Sequence, residues 1–173
     1  MVSFLKTKEE RGPLWKFGSV QIGYAAAFGG LGFALRALGI GVPIAPGMLM
    51  DPRDVAAIVG SGFAGPIGAI IVGVLCALPS AVFAVQLYVP LTIGLAIMYH
   101  YLKHPWYYVG LAVFLLVAWN GWGSTWYVIW GFIPNFTVAY LANLITTVVY
   151  LPSAIIVIEA LRKYSPTAKR VIG

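Results

Sequence analysis

The sequence predicts an all-α polytopic membrane protein, a six-helix transmembrane bundle with short second and third helices and both termini cytoplasmic. Three observations predict it. No Asp, Glu, Lys or Arg occurs between Asp54 and Lys103, or between Lys103 and Glu159. About 20 apolar residues cross a ~30 Å hydrocarbon core, so each run has room for at least two crossings. Prolines and glycines punctuate the runs where the chain must fold back. With 61% hydrophobic residues, 9% charged and a mean hydropathy of +0.90, the chain also lacks the polar surface of a soluble globule.

The elements follow in order within one domain, residues 1–173. Residues 1–16 carry Lys6, Lys8, Glu9, Glu10, Arg11 and Lys16 ahead of any apolar core and read as a retained cytoplasmic tail. A first span covers residues 17–40. Residues 39–50 are rich in Gly and Pro and read as an irregular loop that lines or caps something outside the membrane. Asp51-Pro52-Arg53-Asp54 is a helix start, with Asp at the N-cap, Pro at the first helical position and an acid at the third.

Residues 55–78 are the ambiguous stretch. One unbroken helix there would give five crossings with the spans 81–102, 106 to about 119 or a little beyond, and about 134–161. The basic residues decide against it. The N-terminal tail, the hinge at Lys103 and the C-terminal tail 162–173, with Arg162, Lys163, Lys169 and Arg170, all belong inside by the positive-inside rule, which requires an even number. Splitting at Gly65-Pro66, a helix stop followed by a start, restores six. The two resulting helices are too short to span alone and must be packed inside the bundle, around protein or a water-filled cavity.

The net charge of +6 sits at the chain ends and forms no basic-aromatic patch for nucleic acid. A single cysteine, Cys76, leaves no intrachain disulfide and no paired-cysteine metal site. His100 and His104 are one helical turn apart, but no acid or Cys completes a zinc site and one helix cannot ligate a haem from both faces. They read as cytoplasmic interface residues; no metal or cofactor is expected.

The block 41–80, GVPIAPGMLMDPRDVAAIVGSGFAGPIGAIIVGVLCALPS, joins a Pro/Gly loop, an acidic helix start, a short small-residue helix, Gly-Pro and a second glycine-rich helix. It resembles the first loop and the second and third helices of the substrate-binding S components of energy-coupling factor vitamin transporters. Residues 140–162, YLANLITTVVYLPSAIIVIEALR, resemble that family's last helix. The resemblance implies a binding subunit that captures a vitamin or similar micronutrient on the outer side. It implies two kinds of partner, a transmembrane coupling subunit and two cytoplasmic ATPases. The chain has no GxxxxGK[ST] phosphate loop, so ATP hydrolysis is assigned to partners and the chain is not expected to be an enzyme.

Candidate site residues come from the polar and aromatic exceptions in the apolar runs. Trp119-Asn120-Gly121-Trp122-Gly123-Ser124-Thr125-Trp126 places rings among amide and turn residues at the end of the fifth helix. Trp119, Trp122 and Trp126 are either an aromatic belt or a stacking pocket for a flat heteroaromatic ring, with Asn120 supplying hydrogen bonds. Gln86 is the amide of the fourth helix on the same side. Phe136, Tyr140, Asn143, Thr147 and Tyr150 share one face of the last helix; the resemblance implies that the Asn143 region faces the ligand, with Tyr140 one turn earlier, while interhelical hydrogen bonding is the plainer role.

On the first helix Ala25/Gly29 and Ala26/Gly30 repeat four apart, and the resemblance implies that such a face docks the coupling subunit, with internal packing as the alternative. Arg36 is expected to snorkel, Asp51 and Asp54 to cap, and Glu159 to pair with Arg162 or Lys163. The rival reading of the whole chain is a small structural subunit of a respiratory or other redox complex; a membrane enzyme built on His100 and His104 is a third.

Overall fold

The computed structural model describes residues 4–45, 48–80 and 84–172. These are mostly helical: α1 (Ser19–Ala37), α2 (Arg53–Ala77), α3 (Val85–Tyr101), α4 (Trp106–Val113), a π-helical turn (Phe114–Trp119), α5 (Asn120–Ile129), α6 (Phe136–Tyr164) and a short α7 (Pro166–Ile172). Two helical runs, Arg53–Ala77 and Phe136–Tyr164, are candidate membrane spans by length and composition, and the first of them is broken at Gly65. The fold is not wholly α. The loop after α1 contains a two-stranded antiparallel hairpin, β1 (Val42–Ala45) and β2 (Met48–Met50), where an irregular segment was expected. Residues 46 and 47 of that loop, and Ala81 at the expected start of the fourth helix, lie outside the described residues.

The break predicted at Gly65-Pro66 is present. Gly65 has φ 67° and ψ 175°, a conformation that only glycine adopts readily, and the backbone reverses there. A Cβ built on Gly60 would lie 3.4 Å from Val72 Cγ1, although twelve residues of continuous helix separate their ends by ~18 Å. Arg53 Nη1 donates to the Cys76 carbonyl at 2.9 Å, across what a straight helix would make about 35 Å. So residues 53–64 and 66–77 are antiparallel half-helices, each too short for a ~30 Å core. They form the centre of the bundle, with Ile58, Val59, Phe63, Val72 and Cys76 fully buried.

Small residues make that centre possible. Gly29 of α1 abuts Val72 and Leu75, and Gly60 accepts the Phe28 side chain. Gly62 faces the Tyr99 ring, and Gly73 faces Val89 and Thr92 of α3. Backbones approach closely only where no side chain intervenes, and the gain is van der Waals contact. α1 begins with the Gly18 N–H donating to Gln21 Oε1 at 3.1 Å. It ends in a left-handed Gly39 (φ 69°), where the Gly39 and Ile40 amides return to the Arg36 and Leu35 carbonyls.

α4, the π-helical turn and α5 form one continuous helical rod from Trp106 to Ile129. The Asn-Gly and Gly-Ser pairs expected to be turns therefore lie inside a helix. Helical hydrogen bonds from neighbouring turns override their weak turn preference, and the i→i+5 turn accommodates the change of face. α6 starts at Asn135, whose Oδ1 caps the Thr137 N–H at 2.7 Å.

The N-terminal segment and α7 lie at the same end of the bundle. The Lys6 N–H donates to the Tyr101 carbonyl at 2.8 Å, the Lys103 N–H donates to the Phe4 carbonyl at 3.1 Å, and Lys103 pairs with Glu10 at 2.9 Å. This strap, the Gly65-Pro66 tip and α7 enclose a cavity of about 510 Å³ that Lys16, Gln21, His100 and Val171 help to line.

Candidate functional site

At the opposite end, the two half-helices of α2 open toward a polar cluster in an otherwise apolar interior. Asp51 is 2% exposed and Arg53 is 8% exposed. Asp51 Oδ1 accepts from the Arg53 N–H at 3.0 Å, the capping contact expected from the sequence. Its Oδ2 also lies 3.0 Å from Arg53 Nε and 3.6 Å from Arg36 Nη1. Capping is only part of its role.

Arg53 is held from several elements at once. Nη1 donates to the Cys76 carbonyl and to Ser80 Oγ, and the guanidinium carbon sits 4.9 Å from the Tyr88 ring centre. The Tyr88 hydroxyl donates to Asp54 Oδ1. Tyr150 of α6 accepts the Asp51 N–H through its hydroxyl. Arg36 turns inward, Nε donating to Ser80 Oγ at 3.1 Å, where snorkelling toward water was expected. The reason is that a carboxylate and a hydroxyl lie within its reach at the bundle end, and both follow from the hairpin bringing residues 51, 53 and 80 together.

Sequence reasoning treated these charges separately and missed the cluster. Only the apolar surroundings of Arg53 and Asp54 could have flagged it, since intramembrane charges mark pathways and ligand sites.

Above the cluster stands the rod α4–α5. Trp119 packs edge-on against Tyr88 with ring centres 6.0 Å apart, which joins the predicted stacking residue to Arg53 through a single ring. Asn120 is fully buried. Its Oδ1 accepts from Thr147 Oγ1 at 2.9 Å, while its Nδ2 has no hydrogen-bond partner among the described residues. One turn further, Asn143 Nδ2 donates to Ser124 Oγ at 2.9 Å. The two bonds form a ladder between antiparallel helices, so the Asn143 amide donor is used in helix packing. Ile44 of β1 packs on Ile133 and Ala139, as Tyr127 does, bringing the β-hairpin to the junction between α5 and α6.

The predicted residues separate into different neighbourhoods. Trp119 and Asn120 are both buried, Trp119 against Tyr88 of the charged cluster and Asn120 against Thr147 of α6. Trp122 and Gln86 lie on the outer surface between α3 and the rod, where the Trp122 indole donates to the Gln86 carbonyl at 3.1 Å. A lateral groove of about 530 Å³ runs there, lined by Leu91, Gly94, Phe114 and Trp122 among others. Trp126 packs between Trp122 and Trp130, and its buried Nε1 has no hydrogen-bond partner among the described residues. The Tyr140 hydroxyl donates to the Leu116 carbonyl at 2.6 Å, within the π-helical turn, which ties it to backbone geometry.

The four predicted docking residues also divide. Ala25 and Gly29 are buried against α2, whereas Ala26 and Gly30 lie on the open side of α1, with nothing within 4 Å of a Cβ built on Gly30. His104 Nε2 lies 3.5 Å from Glu159, which also binds Arg162 at 2.8 Å as expected. His100 lines the cavity at the other side of its turn. Among the described residues no three His, Cys, Asp or Glu side chains converge as a metal site. Compared with known protein families, curated proteins and solved structures, the chain has no match.

Proposed function

We propose that this chain is a membrane-embedded binding subunit for a vitamin or related micronutrient, an S component of the energy-coupling factor type, working with a transmembrane coupling subunit and two ATPases. The observation that carries the reading is the reversal at Gly65. It buries two half-helices and gathers Asp51, Arg53 and Asp54 at one end, with the Tyr88 ring against Arg53, Trp119 packed on Tyr88 and Asn120 next in the chain. Trp119 would stack on a flat ring, and the unpartnered Asn120 Nδ2 would donate to a carbonyl or ring nitrogen. Trp122, Trp126, Gln86, Tyr140 and Asn143 would shape the walls.

Six crossings with both termini cytoplasmic belong to this proposal. Arg36, Asp51, Arg53 and Asp54 balance at one end, so the formal net charge of +6 falls on the end that holds the termini. That asymmetry supports an inside assignment for both. The open small face of α1 around Ala26 and Gly30 is the proposed docking surface for the coupling subunit.

The test is mass spectrometry of small molecules that copurify with the detergent-solubilised chain, paired with thermal melts against a panel of vitamins. A copurified heteroaromatic molecule that raises the melting temperature in proportion to log concentration supports the reading. Haem absorbance, or copurification with redox subunits and without ATPases, overturns it.

A further inference from the structure

Resting on that reading and deepening it, we propose that Arg36 is an anion-recognising residue at the edge of the charged cluster and that the captured molecule carries a carboxylate or phosphate. The argument is one of charge sharing. At this end two guanidinium groups face two carboxylates, but they are unequally placed. Asp54 is engaged by the Tyr88 hydroxyl. Asp51 Oδ2 is ion-paired with Arg53 Nε at 3.0 Å and lies 3.6 Å from Arg36 Nη1, and among the described residues it makes a hydrogen bond with neither.

Arg53 is fixed by the Cys76 carbonyl, Ser80 and the Tyr88 ring, and its side chain is 10% exposed. Its place is structural. Arg36 holds one short hydrogen bond, Nε to Ser80 Oγ at 3.1 Å, and its side chain is 25% exposed. A guanidinium carries five N–H donors in a planar fork that matches an oxyanion through two parallel bonds. The outer nitrogens of Arg36 therefore meet only a distant, already neutralised carboxylate. An oxyanion arriving from the open end would give that fork a bidentate partner without disturbing the Asp51–Arg53 contact. The low dielectric around the cluster strengthens such a pair relative to one in water.

Melting of the full-length chain in detergent tests this, with matched probes that differ in one charged group: nicotinate and nicotinamide, pantothenate and pantothenol, riboflavin 5′-phosphate and riboflavin. Wild type should bind the charged member of one pair on the order of tenfold or more tightly than its neutral partner, the scale of one charge-assisted hydrogen bond. Arg36→Gln should erase that preference, and Arg36→Lys should retain part of it. A neutral member bound as tightly as its charged partner overturns the assignment and leaves the binding subunit standing. So does an Arg36→Gln variant that keeps the charged ligand with unchanged affinity. If no probe binds and nothing copurifies, the binding reading falls and this inference with it. The comparison within wild type needs no variant, so a poorly folding Arg36→Gln does not leave the question open.

Discussion

Trp122 donates its indole N–H to the Gln86 carbonyl at 3.1 Å, four residues before Pro90 in α3. Proline has no N–H, so the Gln86 carbonyl has no helical donor from position 90, and in lipid that acceptor would stand unsatisfied. The rod α4–α5 supplies the missing donor. Two residues proposed as ligand contacts are thereby linked through a backbone repair.

That link predicts a coupling. Trp122→Phe should destabilise the solubilised protein by about 1 kcal/mol, the usual net value of one hydrogen bond. In a Pro90→Ala background, where an amide can return to Gln86, the same change should cost clearly less. A double-mutant cycle in denaturant measures it; equal costs in both backgrounds would refute the link.

Gly65→Ala should lower stability by about 1–3 kcal/mol, because φ 67° with ψ 175° is closed to a side chain. Gly23→Ala, with nothing within 4 Å of the added Cβ, should change little or raise stability slightly. Melting temperatures of the two variants make the comparison.

Asn120→Leu removes a buried amide whose Nδ2 is unpartnered, and Thr147 Oγ1 retains the Asn143 carbonyl at 3.2 Å. Ligand-free stability should stay within about 1 kcal/mol of wild type. Stabilisation by the copurified molecule should fall by tenfold or more. A large loss of ligand-free stability with binding intact would make Asn120 a packing residue only.

On α1, Gly29→Leu should destabilise the isolated chain, since a Cβ there already lies 2.7 Å from Leu75 Cδ1. Gly30→Leu, on the open side, should leave its melting unchanged while weakening copurification of the proposed coupling subunit. Retention of the partner by Gly30→Leu would move the docking surface elsewhere.

The N-terminal strap carries a pH prediction. Lys103 and the Thr7 backbone hold the Glu10 carboxyl down to about 2, against a usual value near 4.5. A lowered folded value means the contact contributes fully above pH ~4.5 and is lost as pH falls toward about 2. A spin label at Lys8→Cys, selective because Cys76 is buried, should keep one mobility from pH 7 to 5 and loosen below 4.5. Glu10→Gln should be loose throughout.

The helical character of the chain and its long apolar runs were legible because they depend on composition along the chain. Uninterrupted apolar runs exclude water, and the break at Gly65-Pro66 is written in two residues whose backbone freedom and missing donor act locally. The helix start at Asp51 is local for the same reason, whereas the Asn135 cap emerged only with the structure. The sequence could not place Arg36, Asp51, Arg53 and Ser80 in one cluster, because their meeting requires the half-helices to double back and α1 to pack beside them. Nor could it divide Ala25 from Ala26, or Trp119 from Trp122, since neighbours on a helix point to different faces and only packing decides which face is inside. Spacing along a chain sets which residues can share a face; the close approach of backbones at Gly29, Gly60 and Gly73 chose the face that is buried.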